Sequence, residues 1–205
     1  GVRFSGDTLP FSLSGQLRPG TYAIAGNVSS QYITGLLLAM AAMGGGAELE
    51  LATALESSAY IEITLSALDR FGIRVGRTPR GWAMPPGQIL RTPGHLQVEG
   101  DWSNAGFWVT AGALGSAIEL TGLDPASPQG DRSILAVLEA MGAQIQQTEK
   151  TLSATGSGLS GTVVDVREIP DALPILAVAA DLARRHHHLN IDRHSLDSLK
   201  GIGVD

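Results

Sequence analysis

Hydrophobic and polar positions along this chain trace the same pattern twice: an apolar strand, a polar turn and an apolar helix. In the first copy, residues 22–31 hold the strand and the turn, and residues 32–43 hold the helix. In the second copy, about 70 residues further on, the strand and turn fall at 96–105 and the helix at 106–114. Self-similarity at such a period is typical of a repeated structural unit.

The first unit predicts the element order β-α-β-α-β-β. Its elements are a strand at 22–25, a helix at 31–43, a strand at 47–52, a helix at 60–71 and a hairpin within 73–84. Apolar residues at helical spacing between Ile61 and Phe71 indicate the second helix. Glycines at 44–46 and at 72 end the two helices. The predicted fold class is α/β, built from repeated units of this order.

A stretch rich in proline and glycine between residues 85 and 94 marks a boundary near residue 95. We therefore divide the chain into residues 1–95 and 96–205. The second part contains one unit that extends to about residue 161 and the start of another, with a strand at 162–166 and an apolar helix at 173–183.

Composition narrows the function classes. With 43% hydrophobic residues among 205, the chain can bury a core. A net charge of −6 argues against a general nucleic-acid surface but leaves small anionic ligands open, because these respond to local fields. The absence of cysteine excludes disulfides and thiol nucleophiles. We see no signal peptide and no apolar run of the roughly 18 residues that a membrane helix needs, so we expect a cytoplasmic protein without a membrane span.

Polar residues at the predicted helix starts carry the candidate chemistry. Ser29, Ser30 and Gln31 offer two hydroxyls and an amide at the first helix, and Ser57 precedes Tyr60 at the second. The serines suit ordinary N-caps, but the N–H groups and dipole of a helix start also favour a phosphate or carboxylate. If the two helices are parallel, Ser29 and Ser57 lie at one edge of the unit and can face one ligand.

Asp171 stands directly before the apolar helix at 173–183. Its position alone favours a carboxylate stabilised by the helix dipole, and the functional alternative is a general base or hydroxyl binder.

Two further motifs receive structural interpretations. The G-x-G-x-x-G pattern at 156–161 precedes a strand rather than a helix, so we interpret it as a hairpin turn and not as a dinucleotide site. The histidines at 186–188 are adjacent, their side chains point different ways, and no acidic or cysteine cluster is near them in sequence. We interpret them as a solvated helix end, and we expect neither a metal nor another cofactor.

Five short segments carry a family resemblance. They are Gly-Asn-Val-Ser-Ser-Gln-Tyr-Ile-Thr at 26–34, Tyr-Ile-Glu-Ile-Thr at 60–64, Val-Glu-Gly-Asp-Trp-Ser at 98–103, Gln-Gly-Asp at 129–131 and Ile-Pro-Asp-Ala at 169–172. In this order and at these spacings they resemble the EPSP synthases (3-phosphoshikimate 1-carboxyvinyltransferases) of the enolpyruvyl transferase family.

The resemblance implies an inside-out α/β barrel fold, with two domains of three units each and helix starts that point into an interdomain cleft. It implies transfer of the carboxyvinyl group of phosphoenolpyruvate to the 5-hydroxyl of shikimate 3-phosphate, a step of aromatic amino acid biosynthesis. The resemblance implies that the shikimate phosphate is bound by Ser29, Ser30, Gln31 and Ser57. It also implies that Gln31 lies near phosphoenolpyruvate and that Tyr60 is a further ligand. Asp171 is implied to be the general base.

Several family motifs are absent from this sequence: the opening lysine motif, the Asn-Ala-Gly-Thr segment with its arginine, and the Lys-Glu-Ser/Thr-Asp-Arg segment. Without those cations, charge on two anionic substrates lacks much of its stabilisation, so we expect the isolated chain to be inactive. We expect a central piece of a longer enzyme whose remainder is its partner. Residues 1–95 would be the last unit of one domain, and 96–205 the first unit and part of the second of the other.

Two alternatives stay open at this point. The UDP-N-acetylglucosamine enolpyruvyl transferases share the fold, although the lack of cysteine and the Ser-Ser-Gln and Ile-Pro-Asp-Ala segments favour the shikimate enzyme. The other alternative is a non-catalytic module that binds a small anion or serves as a structural fragment.

Overall fold

The computed structural model describes residues 1–56, 58–156, 158–183 and 190–191. Ser57 and the histidines at 186–188 lie outside the described residues. The chain divides into two compact units, Gly1–Leu96 and Gln97–Asp205, and each contains its own cluster of buried apolar side chains. Within the described part of the chain, none of the helices combines the length and apolarity needed to cross a bilayer.

The first unit is built on a four-stranded sheet with two helices. Its elements are β1 (Val2–Phe4), β2 (Leu13–Gly15), β3 (Gly20–Ile24), α1 (Ser30–Ala42), β4 (Ala47–Leu51), α2 (Ser58–Arg70), β5 (Gly76–Thr78) and β6 (Gly81–Met84). β1 and β2 form an antiparallel pair, and the other strands lie in the order β3-β4-β6-β5. From β3 onward the element order is β-α-β-α-β-β, which confirms the prediction for this unit.

Helix α1 forms because its apolar residues recur on one face. Ile33, Leu37 and Met40 follow one another at helical spacing and are completely buried. Gly44 and Gly45, with φ of 87° and 78°, end the helix in the left-handed conformation that glycine adopts without strain.

Strand direction decides where the helices begin. β3 and β4 are parallel, with Tyr22 opposite Leu49. Helix α1 connects these strands and α2 leaves the end of β4, so both helices start at the carboxyl edge of the sheet and run in the same direction. The first unit therefore meets the condition of parallel helices that a shared ligand site requires.

The second unit repeats part of this plan. Its elements are α3 (Trp102–Ala113), β7 (Glu119–Thr121), a 3-10 turn (Gly130–Ser133) leading into α4 (Ile134–Ala140), β8 (Gln144–Gln147), β9 (Thr151–Thr155), β10 (Val163–Val164), a 3-10 turn (Pro170–Ala172) leading into α5 (Leu173–Leu182), and β11 (Asn190–Ile191). The order β7-β9-β8, with antiparallel neighbours, matches β4-β6-β5 of the first unit. β10 and β11 form a separate parallel pair.

The strand predicted at the beginning of the segment 96–105 is not formed, and this prediction was wrong. The segment contacts the residue after β7, because the Gly100 amide donates to the Gly122 carbonyl at 2.8 Å. Val98, one of the apolar side chains that suggested a strand, is 84% exposed and gains little by burial.

Helix α3 begins at Trp102, earlier than the predicted start near residue 106. The reason is the side chain of Asp101, which caps the helix by accepting from the Ser103 amide at 2.9 Å. The polar residues read as a turn therefore form the first helical turn.

The glycine-rich segment at 156–161 is not a hairpin turn, so that interpretation was also wrong. It follows β9 and precedes β10, and these strands lie in different sheets. Leu159 within it is 2% exposed and belongs to the core of the second unit. The described part of the segment thus lies between strands of two different sheets, with Leu159 in the core.

Candidate functional site

The start of α1 holds three of the predicted ligand residues. Ser29 is the N-cap: its backbone is extended and its Oγ accepts from the Gln31 amide at 3.2 Å. Because the hydroxyl accepts in this bond, its own proton can still be donated to a ligand. Ser30 is the first helical residue and is half-buried like Ser29, whereas Gln31 is exposed. The polar turn is therefore both a cap and an accessible surface.

The loops that precede α1 and α2 are tied together. Thr53 Oγ1 accepts from the Gly26 amide at 2.9 Å and donates to Asn27 Oδ1 at 2.8 Å. The Glu56 amide donates to the Gly26 carbonyl at 3.1 Å. Position 26, where the two loops contact each other, requires a glycine, because a Cβ there would lie 2.8 Å from the carbonyl oxygen of Ala54. These contacts hold the two helix starts side by side.

Helix α2 places Tyr60 in its first turn. The Tyr60 side chain is half-buried. The backbone carbonyl of Tyr60 accepts from Thr64 Oγ1 at 3.3 Å. Thr64 Oγ1 in turn lies 2.9 Å from Thr34 Oγ1 of α1. The structure therefore brings Tyr60 and the turn at 29–31 to the starts of adjacent helices, while Ser57 falls outside the described residues.

The electrostatic character of these two helix starts suits an anion. Neither α1 nor α2 has an acidic residue in its first turn. The positive end of each helix dipole is therefore not offset by a carboxylate in the first turn. A phosphate or carboxylate is the ligand that such a place stabilises.

Helix starts in the second unit carry carboxylates instead. Asp101 caps α3, and Asp131 and Asp171 lie in the 3-10 turns that lead into α4 and α5. The Asp171 side chain is exposed. The described residues nevertheless contain no group of three or more histidines and carboxylates arranged to hold a metal ion.

Asp131 is a buried carboxylate to which sequence reasoning assigned no role. It is 4% exposed; Oδ2 accepts from the Ser103 hydroxyl at 2.7 Å, and Oδ1 has no hydrogen-bond partner among the described residues. Burial is the main cause that raises the pKa of Asp131, the carboxylates of Asp171 and Asp101 raise it further, and the Ser103 bond opposes the shift. The sequence could have marked Asp131 as a candidate, because Asp131, like Asp171, precedes an apolar helical run.

Gln129 fixes the start of α3 against the loop before α4. Its Oε1 accepts from the Trp102 amide at 2.8 Å, and its Nε2 donates to the Gly100 carbonyl at 3.0 Å and to Glu99 at 3.1 Å. The side chain thereby holds the turn that contains Asp101 close to the turn that contains Asp131.

Comparisons with known proteins find similarity to one sequence family. The profile of the family described as EPSP synthase (3-phosphoshikimate 1-carboxyvinyltransferase) matches residues 2–192. A 3-phosphoshikimate 1-carboxyvinyltransferase of Clostridium kluyveri is 39% identical over 176 residues, covering 85% of this chain and 41% of that protein. Its counterpart in Idiomarina loihiensis is 37% identical over 190 residues, covering 90% and 44%. The chain thus spans less than half the length of these curated relatives.

Solved structures share the fold. An EPSP synthase from Acinetobacter baumannii matches with a TM-score of 0.66 at 22% identity, over 92% of this chain and 45% of that chain. The enolpyruvyl transferase NikO from Streptomyces tendae matches with a TM-score of 0.65 at 16% identity, over 89% and 47%. At such identities the likeness concerns the fold alone, and it confirms the α/β enolpyruvyl transferase fold class that the sequence predicted.

Proposed function

The chain belongs to the EPSP synthase family, and we propose that it supplies part of an active site for transfer of the carboxyvinyl group of phosphoenolpyruvate to the 5-hydroxyl of shikimate 3-phosphate. A bond forms between the hydroxyl oxygen and the enol carbon, the bond from that carbon to the phosphate oxygen breaks, the hydroxyl proton is lost and phosphate leaves. The names of the relatives favour this reaction over a UDP-N-acetylglucosamine enolpyruvyl transferase and over a non-catalytic module.

The observation that carries the proposal is the turn at 29–31. Its hydroxyls and amide stand at a helix start without an acidic residue in its first turn, beside a second helix start of the same kind. We assign the phosphate of shikimate 3-phosphate to Ser29, Ser30 and Gln31, because donors from side chains and backbone converge there with the helix dipole. Gln31 is exposed and long enough to serve phosphoenolpyruvate as well.

Helix α2 contributes the other proposed ligands. Tyr60 lies in its first turn and is half-buried, which suits contact with the body of a bound substrate. Ser57 directly precedes this helix in sequence, and we propose it as a further phosphate ligand on the family resemblance alone.

Asp171 is the proposed general base. Its carboxylate is exposed and can accept a proton from a hydroxyl that hydrogen-bonds to it. The lost proton makes the 5-hydroxyl oxygen a stronger nucleophile as the new carbon–oxygen bond forms.

The division of the chain follows from the same proposal. Residues 1–95 would form the last unit of one domain, and 96–205 the first unit and part of the second unit of the other. The cations missing from this sequence would come from the remainder of the enzyme, in the cytoplasm. Inactivity of the isolated chain stays a prediction.

Calorimetric titration of the chain with shikimate 3-phosphate tests the site. We expect binding by the wild type, and loss of binding in the double variant Ser29→Ala/Ser30→Ala. Ser133→Ala is the matched control: Ser133 also stands at a helix start but makes no capping bond, and it lies in the other unit. Equal binding by the double variant, or no binding to the wild type at millimolar ligand, would contradict the proposed site.

A further inference from the structure

Two threonine hydroxyls join the helices of the first unit. Thr34 Oγ1 in α1 lies 2.9 Å from Thr64 Oγ1 in α2, and Thr64 also donates to the Tyr60 carbonyl at 3.3 Å. Since a hydroxyl has a single proton, Thr64 then accepts from Thr34. A chain of hydrogen bonds thus runs from α1 to the backbone of the first turn of α2.

This bridge lies one helical turn behind the proposed ligand residues. Thr34 is the fifth residue of α1 and Thr64 is the seventh residue of α2, so both lie in the second turn. The two positions differ by two residues, and a helix rises about 1.5 Å per residue. If the helices run side by side, their first residues therefore lie within about 3 Å of each other along the helix axis. The bridge is therefore placed to limit how far Tyr60 and the turn at 29–31 can slide past each other along the helix axes.

The apolar core and the loop contacts at Gly26 also hold the two helices together, and the bridge adds a directional contact between the helices themselves. Ile33, Leu37 and Ile61 in the same core are completely buried and apolar, and apolar contacts are non-directional. A hydroxyl pair has a preferred distance and direction. Thr64 is only 8% exposed, so water cannot readily replace its partner, and an unpaired hydroxyl there is costly.

We infer that the bridge between Thr34 and Thr64 is a positioning device for the anion site. Together with the loop contacts at Gly26, it holds the starts of α1 and α2 at the spacing at which the turn at 29–31 and Tyr60 act on one ligand. Neither threonine touches the ligand; both act through the helix starts. The identity of the ligand in this inference rests on the proposed function. The claim that the bridge positions the two helix starts does not depend on it.

The test uses the isosteric variants Thr34→Val and Thr64→Val, with Thr64→Ser to keep the hydroxyl. Thr110→Val is the matched control, because Thr110 is a helical threonine at 3% exposure whose Oγ1 has no hydrogen-bond partner among the described residues. Calorimetry measures affinity for shikimate 3-phosphate. NMR of the ligand-free chain measures the backbone amide shifts of Gln31 and Tyr60.

We expect both valine variants to shift these amides and to weaken binding by about five- to tenfold, the equivalent of one lost hydrogen bond. Thr64→Ser and Thr110→Val should bind like the wild type. Unchanged amide shifts in both valine variants would overturn the inference, as would unchanged affinity in a chain that binds. Shifted amides in a chain that does not bind shikimate 3-phosphate would support the bridge and reject the proposed function.

Discussion

The hydroxyl of Ser103 donates to Oδ2 of Asp131 at 2.7 Å, and this bond ties the first turn of α3 to the turn that leads into α4. The other oxygen of Asp131 has no hydrogen-bond partner among the described residues. A buried carboxylate with one unpaired oxygen is easier to hold in its protonated form than in its ionised form. This pair therefore links protonation to the stability of the second unit.

Asp131→Asn should change how stability depends on pH. The folded-state pKa of Asp131 is raised above the ordinary value of 3.8, chiefly by burial. Its favourable contribution is therefore complete below pH 3.8 and is lost as pH rises through the folded-state pKa. Asparagine keeps the shape and does not ionise, so the stability of the variant relative to wild type should improve from about pH 3 to pH 7. Urea unfolding at several pH values measures this difference.

A constant difference across that pH range, or one that moves the other way, would show that Asp131 does not titrate with a raised pKa. Ser103→Ala provides the control, because it removes the bond that opposes the shift. In this variant, the loss of stability that accompanies ionisation of Asp131 should occur at higher pH than in the wild type.

Gly26→Ala should destabilise the first unit by about 1–3 kcal/mol, the usual cost of forcing extra atoms into a packed site. The new Cβ would lie 2.8 Å from the Ala54 carbonyl oxygen and 3.0 Å from that of Thr53. Gly35→Ala in α1 is the matched control, because nothing lies within 4 Å of its Cβ position. It should stabilise by about 0.5–1 kcal/mol through the helix preference of alanine. Thermal unfolding of both variants checks the prediction, and a harmless Gly26→Ala would refute the close crossing.

Ser29→Ala should cost about 1 kcal/mol of stability, since it removes the side chain that caps α1. Ser133→Ala at the N-cap of α4 should stay within about 0.5 kcal/mol of wild type, because Ser133 makes no capping bond. Urea unfolding of the two variants measures the difference. Equal losses would show that the contact between Ser29 and the Gln31 amide does not stabilise the helix.

Arg167→Gln should raise the pKa of Asp165, which the hydrogen bonds from Arg167 lower from 3.8 to about 2. NMR titration of the Asp165 carboxyl measures this pKa, with Lys150→Gln as a control for net charge. A lowered pKa contributes stability above pH 3.8 that is lost as pH falls through about 2. Both side chains are about half exposed, so the effect on stability should be small. An unchanged pKa in Arg167→Gln would mean that the pair does not persist in solution.

Local signals carried the successful predictions. The apolar run at 32–43 and the glycines after it mark α1 without reference to any other part of the chain. The same reasoning failed at the beginning of the segment 96–105, where apolar residues suggested a strand, because a strand also needs a partner and a core to cover. Asp101 shows a similar limit: it reads as part of a turn, but its contact with the Ser103 amide makes it a cap.

By itself, the sequence determined the element order of the first unit, the polar helix start at 29–31 and the family, because periodicity, capping and motif spacing are properties of neighbouring residues. Only the tertiary structure decided that Asp131 is buried against Ser103, that Thr34 meets Thr64, and that the segment 156–161 joins two sheets. The physical reason is that burial and hydrogen-bond partners depend on residues distant along the chain, which the packing of helices and sheets brings together.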